Sequence, residues 1–372
     1  MRILFTGGGG GGHFFPVLAV IRELKRVAEE RQILDLELFY MGPDAFGEAM
    51  LREESVIPIR VMAGKMRRYW SVSNILDAFK TGIGIATAFW NTFLIMPDVI
   101  FSKGGYGALP AVVASAIFRI PLMIHESDAV PGRVSMLSRR TARRIAIAFP
   151  AAARFFPKEK TALVGVPIRS HILGGTRENA RENFDIFSAV PVVGIIGASQ
   201  GSQRINEALL GILKELTDGY EVLHQTGEKN FEEVKGEARV ILEFAHKERY
   251  HPFGFFDETQ MRDFYTVSDL IVSRAGASSI FEIAAHGKPA ILVPLANAAQ
   301  DHQRENAYEY AGEGSAVIIE EGNLTPHILY AEIKKLIDNP VKLKRMGESA
   351  KNFARADSAE VIAKEILKLG VH

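Results

Sequence analysis

Short runs of Val, Ile, Leu and Phe alternate with longer amphipathic stretches from one end of the chain to the other. Continuous apolar runs bounded by turn residues suit strands buried on both faces, and the stretches between them suit covering helices. The pattern predicts strands at Arg2–Thr6, Leu34–Met41, Ile57–Val61, Val99–Ser102, Leu122–His125 and Arg144–Ala148 in the first half. In the second half it predicts Val192–Gly197, Glu221–Gln225, Leu270–Ser273, Ala290–Val293 and Ala316–Ile319, with further strands near Val240 and Pro252. Between the first two strands, Val17, Leu18, Val20, Ile21 and Leu24 fall on one face of a helix. This is the signature of an α/β protein with parallel sheets.

The two halves begin alike and repeat a second turn. Val192-Val193-Gly194-Ile195-Ile196 enters Gly197-Ala198-Ser199-Gln200-Gly201, then a helix through Leu209, Leu210 and Leu213. Asp98 to Gly105 (DVIFSKGG) matches Asp269 to Gly276 (DLIVSRAG) position for position, and each is followed by a helix and a strand led by proline, Pro121 or Pro289. Two doubly wound domains follow, with ligands at the carboxyl ends of the strands facing a shared cleft. The boundary falls between Val164 and Pro191, so that residues 1–164 form the first domain and 165–357 the second. The helical pattern of 358–369 permits a return to the first domain.

A chain of 372 residues suits two domains of ordinary size. With 47% apolar and 24% charged residues it reads as a soluble globular protein. Lys plus Arg (44) equals Asp plus Glu (44), so no global field argues for nucleic acid. The absence of cysteine excludes disulfides and thiolate chemistry and fits the cytosol. Because the N-terminus runs directly into a strand, no signal peptide is expected. The longest apolar stretch, Ile83 to Met96, is interrupted by Gly84, Thr87, Asn91 and Thr92 and is short for a bilayer span.

Candidate chemistry starts at the unbroken glycine run Gly7–Gly12, set between the first strand and its helix. Such a loop lets backbone amides and a helix N-terminus approach a polar ligand. A dinucleotide fingerprint also needs an acidic residue at the end of the second strand, where this chain has Tyr40-Met41-Gly42. His13, closing the run, is either a general base kept neutral by the helix dipole or a capping histidine. Ser199, Gln200 and Gly201 are the better phosphate candidates, though an ordinary N-cap serine fits too. Arg169 and Arg274 add charge or serve structure. Glu282, on the helix that starts near Ala277, is placed to bind ribose hydroxyls or is simply solvated. Asp301, His302, Gln303 and Asn306 gather polar groups suited to sugar hydroxyls, or to a polar helix start. Neither a zinc spacing, a P-loop nor a glycosidase carboxylate pair is present, so no metal and no cofactor are expected.

A further pattern concerns surfaces. Lys65, Arg67 and Arg68 precede Tyr69 and Trp70, and a helical pattern follows with Ile75, Leu76, Phe79, Ile83, Phe89, Trp90 and Phe93. Arg139, Arg140, Arg143 and Arg144 form a second basic cluster. Aromatic and basic side chains together suit an anionic membrane surface, with some of the apolar residues needed as core.

In order and spacing these motifs resemble the MurG family of bacterial N-acetylglucosamine transferases. The resemblance runs to about Asp357 and rests on Gly8–Pro16, Gly104-Gly105-Tyr106 with Pro110, His125-Glu126, Gly165 with Pro167-Ile168-Arg169, Gly197–Ser202, Arg274–Ala277, Glu282, and Asp301-His302-Gln303 with Asn306. It implies the GT-B architecture, two Rossmann-like domains around a cleft, with no obligatory metal. It implies donor UDP-N-acetylglucosamine in the second domain and a lipid-linked muramyl peptide acceptor in the first, at the cytoplasmic face of the plasma membrane.

Carried over by residue, the resemblance makes His13 the base. It gives the donor Gly11, Gly12, Arg169, Ser199, Gln200, Gly201, the backbone near Phe256, Arg274, Gly276, Ala277, Glu282, His302 and Gln303. The acceptor falls to Gly10, Gly104, Gly105, Tyr106, His125 and Glu126; independently of the resemblance, the aromatic and basic pattern gives the membrane Arg67, Arg68, Trp70, Phe79, Trp90, Arg140 and Arg143. The chain departs from the family pattern at Gly10, where Thr is usual, at Val166, and at Ser127-Asp128, where Gln-Asn is usual. Asp128 thereby becomes a second candidate base, or a group that orients His13. The resulting expectation is an inverting glycosyltransferase acting on the acceptor's 4-hydroxyl. The rivals are a UDP-N-acetylglucosamine 2-epimerase-like enzyme and a non-catalytic nucleotide-sugar-binding protein.

Overall fold

The computed structural model describes residues 1–371 except 9, 34, 44–46, 65–72 and 198–200, and gives only the backbone of 73–76 and 299. The chain divides into two units, Met1–Arg169 with Ala356–His372, and Ser170–Arg355.

The first unit is built on a parallel sheet of β1 (Arg2–Thr6), β2 (Glu37–Gly42), β3 (Val56–Arg60), β4 (Val99–Ser102), β5 (Leu122–Glu126), β6 (Arg144–Ile147) and β7 (Thr161–Leu163). Their order is β3-β2-β1-β4-β5-β6-β7, so chain direction through the sheet reverses between β1 and β4, the position where ligand crevices form. β4 and β5 are buried throughout, as a sheet covered on both faces requires. One face packs Val17, Val20, Ile21 and Leu24 of the helix Gly11–Glu30 with Ile362, Ile366 and Leu367 of the final helix, Ser358–Gly370. That helix is tied to the sheet edge by Ser358 Oγ, which donates to the Val164 carbonyl at 2.6 Å.

The second unit repeats the plan with β8 (Val192–Ile196), β9 (Glu221–Gln225), β10 (Tyr250–Phe253), β11 (Leu270–Ser273), β12 (Ala290–Leu292) and β13 (Ala316–Ile318), in the order β10-β9-β8-β11-β12-β13. The repeated aspartates explain part of the internal match. Asp98 accepts from the Arg2 amide at 2.7 Å and Asp269 from the Val192 amide at 2.8 Å. Each fastens the start of one central strand to the start of its neighbour.

Several expectations need correction. The segment near Val240 is the last turn of a helix, Phe231–Ile241, whose buried Val234 and Ala238 recur at helical spacing. Strand β7 escaped the pattern because Ala162 and Leu163 at the sheet edge are exposed. The helix entered at Gly201 is two helices, Gln203–Leu210 and Leu213–Gly219.

The long helix Ser73–Ile95 carries the largest surprise. Its buried stripe is made of small residues: Gly84, Ala88 and Thr92 lie inward at successive turns. A Cβ on Gly84 would sit 1.7 Å from the Met62 carbonyl oxygen, so the close approach depends on glycine. The large side chains Phe79, Ile83, Phe89, Trp90, Phe93 and Leu94 are therefore left outside and exposed.

Candidate active site

At the carboxyl ends of β1 and β4 two glycine turns meet backbone to backbone. Gly10, with φ of 104°, precedes the helix Gly11–Glu30, and His13 lies in its first turn, half-buried. Gly105 has φ of 78°, and a Cβ there would stand 2.7 Å from Gly8 Cα and 3.2 Å from His13 Cε1. The imidazole thus rests against the turn after β4, and the contact needs glycine on both sides. Gly10, Gly11, Gly12, His13, Gly104, Gly105 and Tyr106 are brought together at this end of the sheet.

Beside them, β5 delivers a buried polar cluster. Lys103, 2% exposed, donates from Nζ to Ser127 Oγ at 2.7 Å. Burial holds its ammonium below the usual range, an effect that the nearby Glu126 and Asp128 carboxylates oppose. Glu126 is also buried and accepts from the amides of Asp128 (3.1 Å) and Gly132 (2.9 Å). Its pKa is raised by burial and by Asp128, against the pull of Lys103. Asp128 itself is half-buried.

His125 and Glu126, expected to contact the acceptor, both have buried side chains. The His125 ring is fully buried and donates from Nε2 to the Gly165 carbonyl at 2.7 Å. Burial, with Lys103 nearby, holds it down to about 3, so it stays neutral. Both side chains face inward and shape the loops. Arg169 is buried with its guanidinium 4.0 Å from the Phe15 ring centroid, a cation–π contact with the glycine-loop helix.

In the second unit, Gly201 (φ 75°) lies so near β9 that a Cβ would be 2.0 Å from the Thr226 carbonyl oxygen. Ser202 caps the helix that follows. Behind this loop, Asn206 donates to the Thr226 carbonyl at 3.1 Å and accepts from His224 Nε2 at 3.0 Å. His224 Nδ1 accepts from the Tyr250 hydroxyl at 2.9 Å, and burial holds the ring down to about 3. Gln225 at the end of β9 has a buried Oε1 with no partner among the described residues.

Gly276 caps the helix Ala277–Ala285, whose first-turn amides face the carboxyl end of β11. One turn on, Glu282 Oε2 accepts from the buried Tyr265 hydroxyl at 2.9 Å, and the Tyr265 ring stacks on His286 with centroids 4.7 Å apart. The carboxylate is thus held from behind and remains half-buried. Gln303 Oε1 accepts from the Leu295 amide at 3.1 Å, and His302 begins the next helix, preceded by Gln300 and Asp301 in left-handed backbone at φ 59° and 57°.

Two of the positions expected at the donor have buried side chains. Arg274 is buried, pairs with Glu321 and donates to the Val293 carbonyl at 3.2 Å, so its guanidinium braces loops. The Phe256 ring is buried among Phe184, Phe253 and Phe264, leaving only backbone at that position for a ligand. Ser199, Gln200, Arg67, Arg68 and Trp70 lie outside the described residues. Sequence reasoning passed over Lys103, Asn206, His224 and Tyr265. For Lys103 a signal existed, since it aligns with Arg274 in the repeat; isolated polar residues within apolar strands were the only hint of His224.

The exposed face of the helix Ser73–Ile95 continues onto Ile117 and Phe118, with Phe118 stacked 4.6 Å from Phe89. Phe79 and Trp90 are 69% and 59% exposed, and Arg140 and Arg143 are exposed too. Near that face, Arg119, Arg143, Arg144, Glu365 and Lys368 line a cavity of about 650 Å³ at the amino ends of the strands. Among the described residues, no helix is long and apolar enough to cross a membrane.

Comparisons with known proteins agree with this architecture. Residues 3–147 match the glycosyltransferase family 28 N-terminal domain and 192–362 the family 28 C-terminal domain. The chain is 33% identical over 340 residues to the UDP-N-acetylglucosamine–N-acetylmuramyl-(pentapeptide) pyrophosphoryl-undecaprenol N-acetylglucosamine transferase 3 of Bacillus thuringiensis, covering 91% of this chain and 92% of the relative. It is 34% identical over 349 residues to the corresponding transferase of Legionella pneumophila, with the same coverage of each. The crystal structure of Acinetobacter baumannii MurG superposes with TM-score 0.74 at 24% identity over 99% of both chains. A putative UDP-N-acetylglucosamine 2-epimerase from Listeria monocytogenes gives 0.70 at 13% identity over 97% and 94%, a likeness of fold alone. The two Rossmann-like units form the GT-B fold, and the chain belongs to the family of UDP-N-acetylglucosamine–N-acetylmuramyl-(pentapeptide) pyrophosphoryl-undecaprenol N-acetylglucosamine transferases.

Proposed function

We propose that this enzyme transfers N-acetylglucosamine from UDP-N-acetylglucosamine to the 4-hydroxyl of lipid-linked N-acetylmuramyl-pentapeptide. The observation that carries the reading is the full-length match to named transferases at about one third identity, which the epimerase, alike only in fold, does not share.

The acceptor oxygen attacks the anomeric carbon, and the bond from that carbon to the β-phosphate oxygen breaks with inversion. His13 or Asp128 takes the hydroxyl proton as the new bond forms, which raises the oxygen's nucleophilicity when it is needed. UDP departs with the bonding pair, and its growing charge is met by amides of the Gly197–Gly201 loop and the helix start at Gly276. In this reading Ser199 adds a hydroxyl to the diphosphate, Glu282 accepts from the ribose hydroxyls, and His302 and Gln303 face the sugar. Tyr265 supports Glu282 from behind, since its hydroxyl donates to one carboxylate oxygen at 2.9 Å.

The acceptor's lipid gives the exposed apolar face a purpose. A patch this large on a soluble surface marks an interaction site, and basic residues beside it suit an anionic leaflet. We infer reversible attachment at the cytoplasmic face, through Phe79, Phe89, Trp90, Phe93 and Ile117 with Arg140 and Arg143.

Incubation of the enzyme with labelled UDP-N-acetylglucosamine and the lipid-linked muramyl peptide tests the reading. Label should enter the lipid only when the acceptor is present. Conversion of the donor sugar without acceptor would instead support the epimerase.

A further inference from the structure

The first sheet carries a second concavity at the end remote from its glycine turns. Where β5 and β6 begin, the helix Leu109–Phe118 and the final helix Ser358–Gly370 flank the cavity of about 650 Å³ lined by Arg119, Arg143, Arg144, Glu365 and Lys368. All five belong to the first unit. Arg144 and Glu365 satisfy each other, since Arg144 Nε donates to the carboxylate at 2.6 Å and one Nη donates to the Arg143 carbonyl at 3.1 Å. Their pair ties the final helix to β6. Arg119, Arg143 and Lys368 have no carboxylate partner among the described residues. Three uncompensated cations thus share one concave surface, in a chain whose formal net charge is zero.

Two further observations give this cluster a direction. Arg119 follows its helix in left-handed backbone at φ 57°, where glycine or asparagine is usual. The turn favours glycine, so the guanidinium is carried against the local backbone preference. The two residues before it belong to the apolar face: Ile117 is exposed, and Phe118 stacks on Phe89. A cleft lined by one sign of charge concentrates counter-ions, and guanidinium groups match phosphate oxygens through forked hydrogen bonds.

We infer that this cavity binds a phosphate group, with Arg119, Arg143 and Lys368 as its donors. The site goes beyond the transferase reading and does not depend on it, because the amino ends of parallel strands lie opposite the glycine turns. An anionic lipid headgroup and a free phosphate share this chemistry. The neighbouring Ile117 and Phe118 favour the headgroup, whose acyl chains would meet them.

The test follows the side-chain Nε signals of Arg119 and Arg143 by nitrogen NMR in the whole chain, each assigned from its own variant, Arg119→Gly or Arg143→Ser. The probes, added at constant ionic strength, are inorganic phosphate, dihexanoylphosphatidylglycerol below its micelle concentration, and dihexanoylphosphatidylcholine, which has the same chains and no net charge. Phosphate should move both signals along one saturating curve, and phosphatidylglycerol should displace it. Arg119→Gly and Lys368→Ser should each weaken binding by about tenfold, the effect of one lost charge-assisted hydrogen bond. Arg239→Ser, on an exposed helical position of the second unit, should leave binding unchanged. Because glycine suits the left-handed turn, Arg119→Gly should melt no lower than wild type, which separates lost binding from lost structure. Lys368→Ser serves if Arg119→Gly does not fold.

Tighter binding of phosphatidylglycerol than of phosphate assigns the cavity to a lipid headgroup, and the reverse order assigns it to a free phosphate. Signals that stay still with both probes, or shifts that never saturate, overturn the proposal. So does phosphatidylcholine binding as tightly as phosphatidylglycerol, or a loss in Arg239→Ser equal to that in Arg119→Gly.

Discussion

Lys103 and Arg274 occupy the same position in the two units, each the first residue after the strand beside the switch point. Both are buried cations that tie their own turn to a neighbouring loop. Lys103 reaches Ser127 beyond β5, whereas Arg274 reaches the Val293 carbonyl beyond β12 and Glu321 beyond β13. The second-unit arrangement is closed, because Glu321 also accepts from the Ala296 amide at 3.0 Å. The first-unit arrangement ends on a neutral hydroxyl, Ser127 Oγ, with Glu126 and Asp128 nearby. One device thus recurs in both units with different partners.

Arg274→Met should therefore act on stability. Removing the buried guanidinium leaves a part-buried Glu321 and the Val293 carbonyl without that donor and costs about 1–3 kcal/mol. Denaturant unfolding of the variant should show a loss of that order, with UDP affinity retained wherever the protein is folded. Normal unfolding with lost UDP binding would return Arg274 to the donor site.

Glu282→Ala should weaken UDP binding by about 1–3 kcal/mol, the cost of leaving polar groups unpaired. Tyr265→Phe should weaken it by less, about 1 kcal/mol, since it removes only the hydrogen bond that orients the carboxylate. Calorimetric titration with UDP reads both. Wild-type affinity in Glu282→Ala would take this residue out of the ribose site.

His13→Ala should lower kcat by about 10²–10⁴-fold with UDP affinity unchanged, as expected for a lost general base. A larger loss in Asp128→Asn would assign the proton to Asp128. Near-normal turnover in both variants would rule out acid–base catalysis at this loop.

Two buried histidines make stability depend on acid. His125 and His224 are held down to about 3 in the folded chain, from an ordinary value of 6.5. Their contribution is complete above pH 6.5 and declines as pH falls toward 3, because the unfolded chain takes up the proton first. Each adds up to about 1.4 kcal/mol per pH unit to that decline. Melting temperatures of His224→Gln should start lower and fall less steeply over this range. Parallel curves for variant and wild type would show that His224 does not titrate between the folded and unfolded states.

Membrane attachment should weaken with salt without vanishing. Each Lys or Arg near an anionic surface contributes about 1 kcal/mol, which screening removes, whereas inserted aromatics resist salt. Phe89→Ser with Trp90→Ser should abolish the salt-resistant fraction in vesicle flotation and leave UDP binding intact. Equal, salt-insensitive binding to neutral and anionic vesicles would contradict the account.

Much of this was legible in the sequence, for reasons that particular residues make clear. Apolar runs such as Val99–Ser102 and Leu270–Ser273 became strands at the expected bounds because a buried parallel strand tolerates few other residues. The repeated Asp98 and Asp269 exposed the common plan because each supports the same backbone amide. The glycine turns were visible because close backbone approach admits only glycine at Gly8 and Gly105. What stayed hidden depends on direction. Sequence cannot say that His125 turns inward, or that Phe89 and Trp90 face away from a helix seam of Gly84, Ala88 and Thr92. Lys103 reads as one more surface lysine until β4 and β5 are adjacent.

The most direct measurement is the structure of the product formed from UDP-N-acetylglucosamine labelled at the anomeric carbon and the lipid-linked muramyl pentapeptide. The account predicts one UDP released per sugar transferred, strictly dependent on acceptor, and a β-linkage to the 4-oxygen of the muramyl sugar, read from the one-bond carbon–hydrogen coupling at the labelled carbon. An α-linkage, or donor turned over to its 2-epimer with no acceptor present, would contradict it.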